Sequence, residues 1–308
     1  MFIVVGGGLA GLLTAEKLRE HGRTIVFDRR RKPGKECTGI ISRSTLAKLN
    51  VGKEYVEAEF KEIELKYGKY SILVKTDVVR LDRQRLEMDL DMNFRVIRPV
   101  NAVIKEDCVV ASNEVYRGRI VRAWGWKGKA RWIRGIEYSA EPTNLDHILV
   151  YFDRRNVGGF SWIVPTPSRT LVGAISYTDP IYFLPHLEKR RLEVHGGAIP
   201  RAKPRFNLNA EIGDATGLIK TFTGGGIYGI AALLEPLVKW IALGDPSQYF
   251  QTRKSLIKEV TTQYNITRFM EWTWPTLLSA FRLMKDREFK VGDEFDLHSR
   301  LFRLLVPF

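Results

Sequence analysis

The chain opens Phe2-Ile3-Val4-Val5-Gly6-Gly7-Gly8-Leu9-Ala10-Gly11-Leu12-Leu13, and this stretch decides the fold. A β-branched and aromatic run ends at once in glycine, and apolar residues then recur at helical spacing through Leu12, Leu13, Ala15 and Leu18. The pattern predicts strand, tight turn and helix. Gly6 permits the turn, Gly8 lets a diphosphate approach the backbone, and Gly11 lets helix and strand pack closely, while free N–H groups at the helix start take up phosphate charge. The helix is expected to end near His21-Gly22. Residues 24–27 then read as a second strand closing on Asp28, where a carboxylate accepts hydrogen bonds from a ribose hydroxyl pair. Three consecutive glycines carry an entropic cost that close approach of a ligand justifies. Asp28 favours an unphosphorylated ribose, as in FAD or NAD; Arg29, Arg30 and Arg31 keep a 2′-phosphate open.

A second signature, Asn209-Ala210-Glu211-Ile212-Gly213-Asp214-Ala215-Thr216-Gly217, favours FAD. A strand runs out into Gly213-Asp214 and is followed by a glycine-rich helix start at Thr223-Gly224-Gly225-Gly226. In that form the aspartate accepts hydrogen bonds from a ribityl chain, and the helix N-terminus faces a flavin ring. The formal G-x-G-x-x-G at Gly224, Gly226 and Gly229 follows Lys220-Thr221-Phe222-Thr223, which is not an apolar strand. It therefore lacks the context of a second nucleotide fold.

The rest of the composition narrows the class. The chain has 308 residues, 49 Lys+Arg against 35 Asp+Glu and a net charge of +14, with 44% hydrophobic and 27% charged residues. That is ordinary globular composition, with no sign of disorder or collagen-like repeats. The two longest uncharged runs, near residues 2–15 and 221–234, are shorter than the about 20 residues a spanning helix needs. Scattered basic residues without recognition-helix or zinc-finger spacing argue against a nucleic-acid partner. The surplus of charge also matches heat-adapted surfaces. Cys37 and Cys108 are too few for a disulfide framework, and with no leader-like N-terminus they point to a reducing cytosol. The five histidines, His21, His147, His186, His195 and His298, show no metal spacing and no partnered nucleophile, so no metal site is expected.

Three segments together resemble the geranylgeranyl reductase family of flavoenzymes: Pro33-Gly34-Lys35-Glu36-Cys37-Thr38-Gly39, Gly158-Gly159-Phe160-Ser161-Trp162-Ile163-Val164-Pro165, and residues 213–228 from Gly213-Asp214 through Gly226-Ile227-Tyr228. The resemblance covers about residues 1–240 as dispersed motifs. It implies the p-hydroxybenzoate hydroxylase type of FAD fold and saturation of isoprenoid double bonds, as in archaeal digeranylgeranylglycerophospholipid reductases. Carried over by position, it implies FAD contacts at Ala10, Asp28, Cys37, Thr38, Gly39, Arg83, Val103, Asp214, Gly226 and Ile227, beside Gly6, Gly8, Gly11, Gly213 and Gly225 of the two glycine motifs and Arg29 after Asp28. Arg83 comes from Leu81-Asp82-Arg83-Gln84-Arg85-Leu86, and Val103 from the strand after it. The sequence departs from related hydroxylases at Trp124, which replaces an aspartate, and from many reductases at Phe160, which replaces a tyrosine.

Alkene reduction needs a hydride, an apolar tunnel and one weak acid near the ring. Cys37 is the placed candidate: its thiol either donates a proton or tunes the flavin, or it packs as a small hydrophobe. Phe160, Trp162 and Pro165 either floor a prenyl tunnel or are plain sheet core. Expected partners are a hydrophobic isoprenoid or prenyl-lipid substrate and an electron donor such as ferredoxin or NAD(P)H. Flavin-dependent monooxygenation, or flavin binding without turnover, are the rival functions.

The expected fold is α/β, a Rossmann-like FAD-binding domain interleaved with an antiparallel β-sheet substrate domain, plus a C-terminal helical segment. The FAD domain takes residues 1–50, 77–125 and 197–245, the β-rich domain 51–76 and 126–196, and the helical region 246–308. Residues 59–76 read as a hairpin around Gly68-Lys69, sharing one antiparallel sheet with strands from 131–177. The arginine-studded apolar tail at 301–308 reads as a lid, a membrane-surface contact or a packed helix.

Overall fold

The computed structural model describes residues 1–93, 95–285, 287–297 and 299. The tail at 301–308 lies outside the described residues.

Strand β1 (Phe2–Val5), helix α1 (Leu9–Arg19) and strand β2 (Thr24–Phe27) follow one another as the opening stretch predicts. Strand β3 (Ile40–Ser42) leads into α2 (Arg43–Leu49). Ser42 caps this helix by accepting from the Thr45 N–H, and Asn50 ends it in the left-handed region at φ 53°. The expected hairpin is β4 (Val56–Tyr67) and β5 (Tyr70–Leu81), turning at Gly68. Helix α3 (Arg83–Met92) starts on Asp82, whose carboxylate accepts from the Arg85 N–H. Then come β6 (Val96–Ile97), β7 (Val103–Lys105), β8 (Cys108–Ala111), β9 (Glu114–Arg117) and β10 (Arg119–Arg122).

Strands β10, β1, β2 and β6 lie side by side in that order, all parallel. Every residue of β1 is buried because both faces of this sheet are covered. Phe2 and Val4 face α1 and the later helices, whereas Ile3 and Val5 face the small antiparallel sheet β7-β8-β9 through Val109 and Ala111.

The chain continues through β11 (Arg131–Ala140), β12 (Ile148–Tyr151), β13 (Phe160–Pro165), β14 (Thr170–Ser176) and β15 (Arg191–Arg201). Helices α4 (Ile227–Leu243), α5 (Ser247–Trp272) and α6 (Trp274–Met284) follow, with Pro275 in the first turn of α6, and then β16 (Glu288–Lys290). The large sheet has the order β15-β11-β14-β13-β12-β4-β5-β16, with β3 also on β5. The hairpin and the 131–176 strands do share one sheet, but it is mixed: β12 runs parallel to β4 and β16 parallel to β5. Between β5 and β12 the chain passes through the Rossmann-like layer. A strand returning from such a crossover is not bound to the direction a hairpin imposes.

The segment before Gly213 is brought beside β10 by a parallel bridge between Arg122 and Glu211. Arg253 of α5, with no exposed surface, holds it there: Nη2 is 2.9 Å from Glu211 Oε2, and Nη1 donates to Asn209 O at 3.2 Å. Removing one partner of such a buried pair leaves the other charge uncompensated, at a cost of about 3–5 kcal/mol. Arg253→Met is therefore expected to lower the urea midpoint by a large fraction of total stability. An unchanged midpoint would refute this tie.

Candidate dinucleotide and reaction site

Gly6, Asp28 and Gly213 leave the C-terminal ends of β1, β2 and the 210–212 segment on the same edge of the parallel sheet, where β1 sends the chain to one side and β10 joins on the other. Ligands of open α/β sheets bind at such a switch point. At φ +118°, Gly6 runs so close to β10 that a Cβ would come 2.2 Å from Ala123 O. A Cβ on Gly11 would come 1.8 Å from Gly6 O, so glycine there sets the helix–strand spacing. Gly8 differs: it caps α1 without a side-chain hydrogen bond, and a Cβ would have only Arg30 and Arg83 guanidinium nitrogens nearby, at 3.6 and 4.0 Å. Asp28, 5% exposed, accepts from Arg30 Nε at 3.1 Å and Arg98 Nη1 at 3.2 Å. Arg30 Nη2 also donates to Gly7 O at 2.7 Å. Of the three consecutive arginines it is Arg30 that enters the turn, while Arg29 is exposed.

The second motif meets the first. A Cβ on Gly213 (φ +67°) would press on the Ala10 Cβ at 2.7 Å, and one on Gly226 would come 2.9 Å from Asp214 Oδ1. Gly226 caps α4 with no side-chain hydrogen bond, and Ile227 begins the helix. Gly225 packs on the Lys220 stem. Arg83 Nε is 2.7 Å from Glu87 Oε1, and although burial disfavours the guanidinium charge, the Glu87 carboxylate outweighs it and raises the pKa. Through Glu87, which also takes the Lys35 N–H, Arg83 is tied to the segment that leads into Cys37. Glu87, with no exposed surface, accepts from the Leu9 N–H at 2.9 Å and the Lys35 N–H at 2.9 Å. Burial alone would raise its pKa, but Arg83, the Lys35 N–H and Arg30 hold its carboxyl below the usual range.

Lys220, in the loop before α4, is paired at 2.7 Å with Asp296, which also accepts from the Ser42 and Thr45 hydroxyls. Burial opposes ionisation of Asp296, but Lys220 and these hydroxyls dominate and hold its carboxyl well below the usual range. A depressed carboxylate stabilises the fold fully at neutral pH and loses that contribution as pH falls below the ordinary range. Urea midpoints at neutral and acid pH are therefore expected to differ more in the wild type than in Lys220→Met. Equal acid sensitivity would refute the pairing.

Across from these motifs stands one face of the large sheet. The register places His195, Glu137, Gly173 and Trp162 opposite one another on β15, β11, β14 and β13, so their side chains share a face. Gly173 leaves room for the Trp162 indole, since a Cβ would come 2.2 Å from its ring. The indole Nε1 donates to Glu137 Oε2 at 2.7 Å, and the Thr38 hydroxyl donates to the same oxygen. Gly39, at φ +69°, fits against Leu81 O, where a Cβ would come to 2.5 Å. Cys37 is partly buried between Glu36 and Thr38. Next to Trp162, Phe160 stacks on Phe222 of the α4 loop at 5.4 Å, and Phe152, Trp274 and Phe281 complete an aromatic wall under α6. Pro165 is buried at the far end of β13.

Val103 is 49% exposed on β7. Trp124 carries Lys127 over its ring at 3.5 Å. Glu87, Glu137, His195, Lys220 and Arg98 escaped sequence reasoning; the one signal available was a lone glutamate within the mostly apolar end of β11. Among the described residues no group of His, Cys, Asp and Glu could hold a metal ion, and no helix is long and apolar enough to cross a membrane.

The residues fit a dinucleotide: the Gly8 cradle has only the Arg30 and Arg83 guanidinium nitrogens nearby, and α1 and α4 both begin on uncapped glycines. A family model described as an NAD(P)-binding Rossmann-like domain matches residues 4–53. A geranylgeranyl bacteriochlorophyll reductase-like protein from Thermoplasma acidophilum is similar at TM-score 0.74 and 18% identity, over 98% of this chain and 95% of that one. A flavin-dependent brominase gives 0.65 at 14% identity, over 99% and 92%. A variant of the halogenase PltM in complex with FAD gives 0.65 at 10% identity, over 92% and 77%. No curated protein matches the sequence. The chain therefore has a flavin-dependent oxidoreductase fold, a Rossmann-like layer interleaved with a large mixed sheet.

Proposed function

We propose that this chain is an FAD-dependent oxidoreductase that reduces a carbon–carbon double bond of an isoprenoid or prenyl-lipid substrate. The observation that carries the reading is that the Cys37–Thr38 turn is tied through Glu137 to Trp162, beside Phe160 and Phe222, while Gly213 meets Ala10 of the first glycine turn. Gly8 and the α1 N-terminus would hold the diphosphate with Arg30 and Arg83, Asp28 the adenosine ribose, and Asp214 the ribityl chain. When bound and reduced, FAD supplies the hydride for one alkene carbon. The Cys37 thiol gives the proton to the other carbon. The aromatic wall receives the prenyl chain and keeps water from the reacting bond. Electrons reach the site from ferredoxin or NAD(P)H docking transiently.

Protein loaded with FAD and reduced by dithionite without oxygen should reoxidise on adding a geranylgeranyl lipid, whose mass rises by two hydrogens. Failure with every prenyl substrate, together with substrate-stimulated oxygen consumption, would sink the proposal in favour of monooxygenation or halogenation.

A further inference from the structure

Cys37 sits in a turn held from both sides by one buried charge. Glu137 is 3% exposed in the C-terminal half of β11 and accepts directly from Thr38, the residue after Cys37. On its other side, His195 Nε2 lies 3.2 Å from Glu137 Oε1, and His195 Nδ1 lies 2.5 Å from the carboxylate of Glu36, the residue before Cys37. Both contacts are ion pairs when the imidazole is protonated. Both therefore draw their strength from a positive imidazole, without which two carboxylates would face a neutral ring. Neither His195 nor Glu137 is among the residues assigned above to the dinucleotide.

We propose that Glu137 and His195 are positioning residues forming a clamp that closes on the 36–39 turn when His195 is protonated and loosens it when His195 is neutral. The functional consequence, the placing of Cys37 for proton donation, rests on the reductase reading; the clamp itself does not. The groups facing His195 are Glu137 from β11 and Glu36 from the turn, with Arg169 opposing them at longer range. Burial disfavours the imidazolium, but the two glutamates outweigh it and raise the pKa above that of free histidine. A raised histidine pKa means that the clamp is fully present below the ordinary histidine range and is lost as pH rises through the raised value.

The test is alkylation of Cys37 by iodoacetamide in a Cys108→Ser background, which needs neither flavin nor substrate. At about pH 6, His195→Gln should label about tenfold faster than the protein with His195, the scale of losing one charge-assisted contact. At about pH 9 the two rates should converge, because both side chains are then neutral. Glu137→Gln keeps partners for Thr38 and Trp162 but removes the charge, and it too should speed labelling at the lower pH. A rate ratio that is unity, or that does not change with pH, overturns the clamp. Loss of prenyl reduction with normal labelling would instead count against the reductase reading.

Discussion

Gly11→Ala is expected to abolish the folded dinucleotide unit and with it all FAD binding. The new methyl would lie 1.8 Å from Gly6 O and 3.0 Å from its carbonyl carbon. Neither side can yield. The Gly6 N–H is bonded to Phe27 O at 2.8 Å, and the Gly6 backbone is itself pressed against Ala123. On the helix side, Leu9 and Leu12 have no exposed surface, and a shift of α1 would open voids around them. Ordinary overpacking by a methylene costs about 1–3 kcal/mol; a collision with backbone on two immobile elements exceeds it. Gly197→Ala is the matched control, because a Cβ there meets nothing within 4 Å. Thermal melts and FAD content should separate the two, with Gly197→Ala like wild type. A Gly11→Ala protein that melts normally and keeps its flavin would refute this account of the turn.

Cys37→Ala should leave FAD in place and lower turnover of the prenyl substrate by about 10²–10⁴-fold, the range for removal of a general acid. The diphosphate, ribose and ribityl chain are assigned to other residues, so flavin affinity should stay within a few-fold of wild type. Reduction of the bound flavin by dithionite should be as fast as before, since that step needs no proton from the thiol. The separation matters, because a packing role for Cys37 would move affinity and turnover together. Turnover within threefold of wild type would show that the proton comes from elsewhere.

The opening motif was legible because its chemistry is local: strand, glycine turn, helix and Asp28 all fall within residues 2–28, and each step is set by near neighbours. Gly213-Asp214 could be read for the same reason. Their meeting through Ala10 and Gly213 was not written in either segment. It depends on the Arg122–Glu211 bridge and on Arg253, which come from distant parts of the chain. The Glu137 row was hidden for a sharper reason. Glu137, Trp162 and His195 come from three separate segments that only strand register brings to one face, and Thr38 reaches Glu137 from the segment before β3. His195 has no metal-like or triad-like spacing, and its partner Glu137 interrupts an apolar run in a way that reads as noise. The mixed character of the large sheet was equally invisible, since the alternation of β4 and β12 carries no sign of relative direction.

The measurement that bears most directly on the central claim is titration of FAD into the apo protein, compared with the Asp28→Ala/Asp214→Ala double variant. One FAD should bind per wild-type chain, and affinity should fall at least about a hundredfold in the variant, which loses two charged acceptors at about 1.5–3 kcal/mol each. Equal FAD affinity in the two proteins, or no binding by the wild type, would contradict that claim.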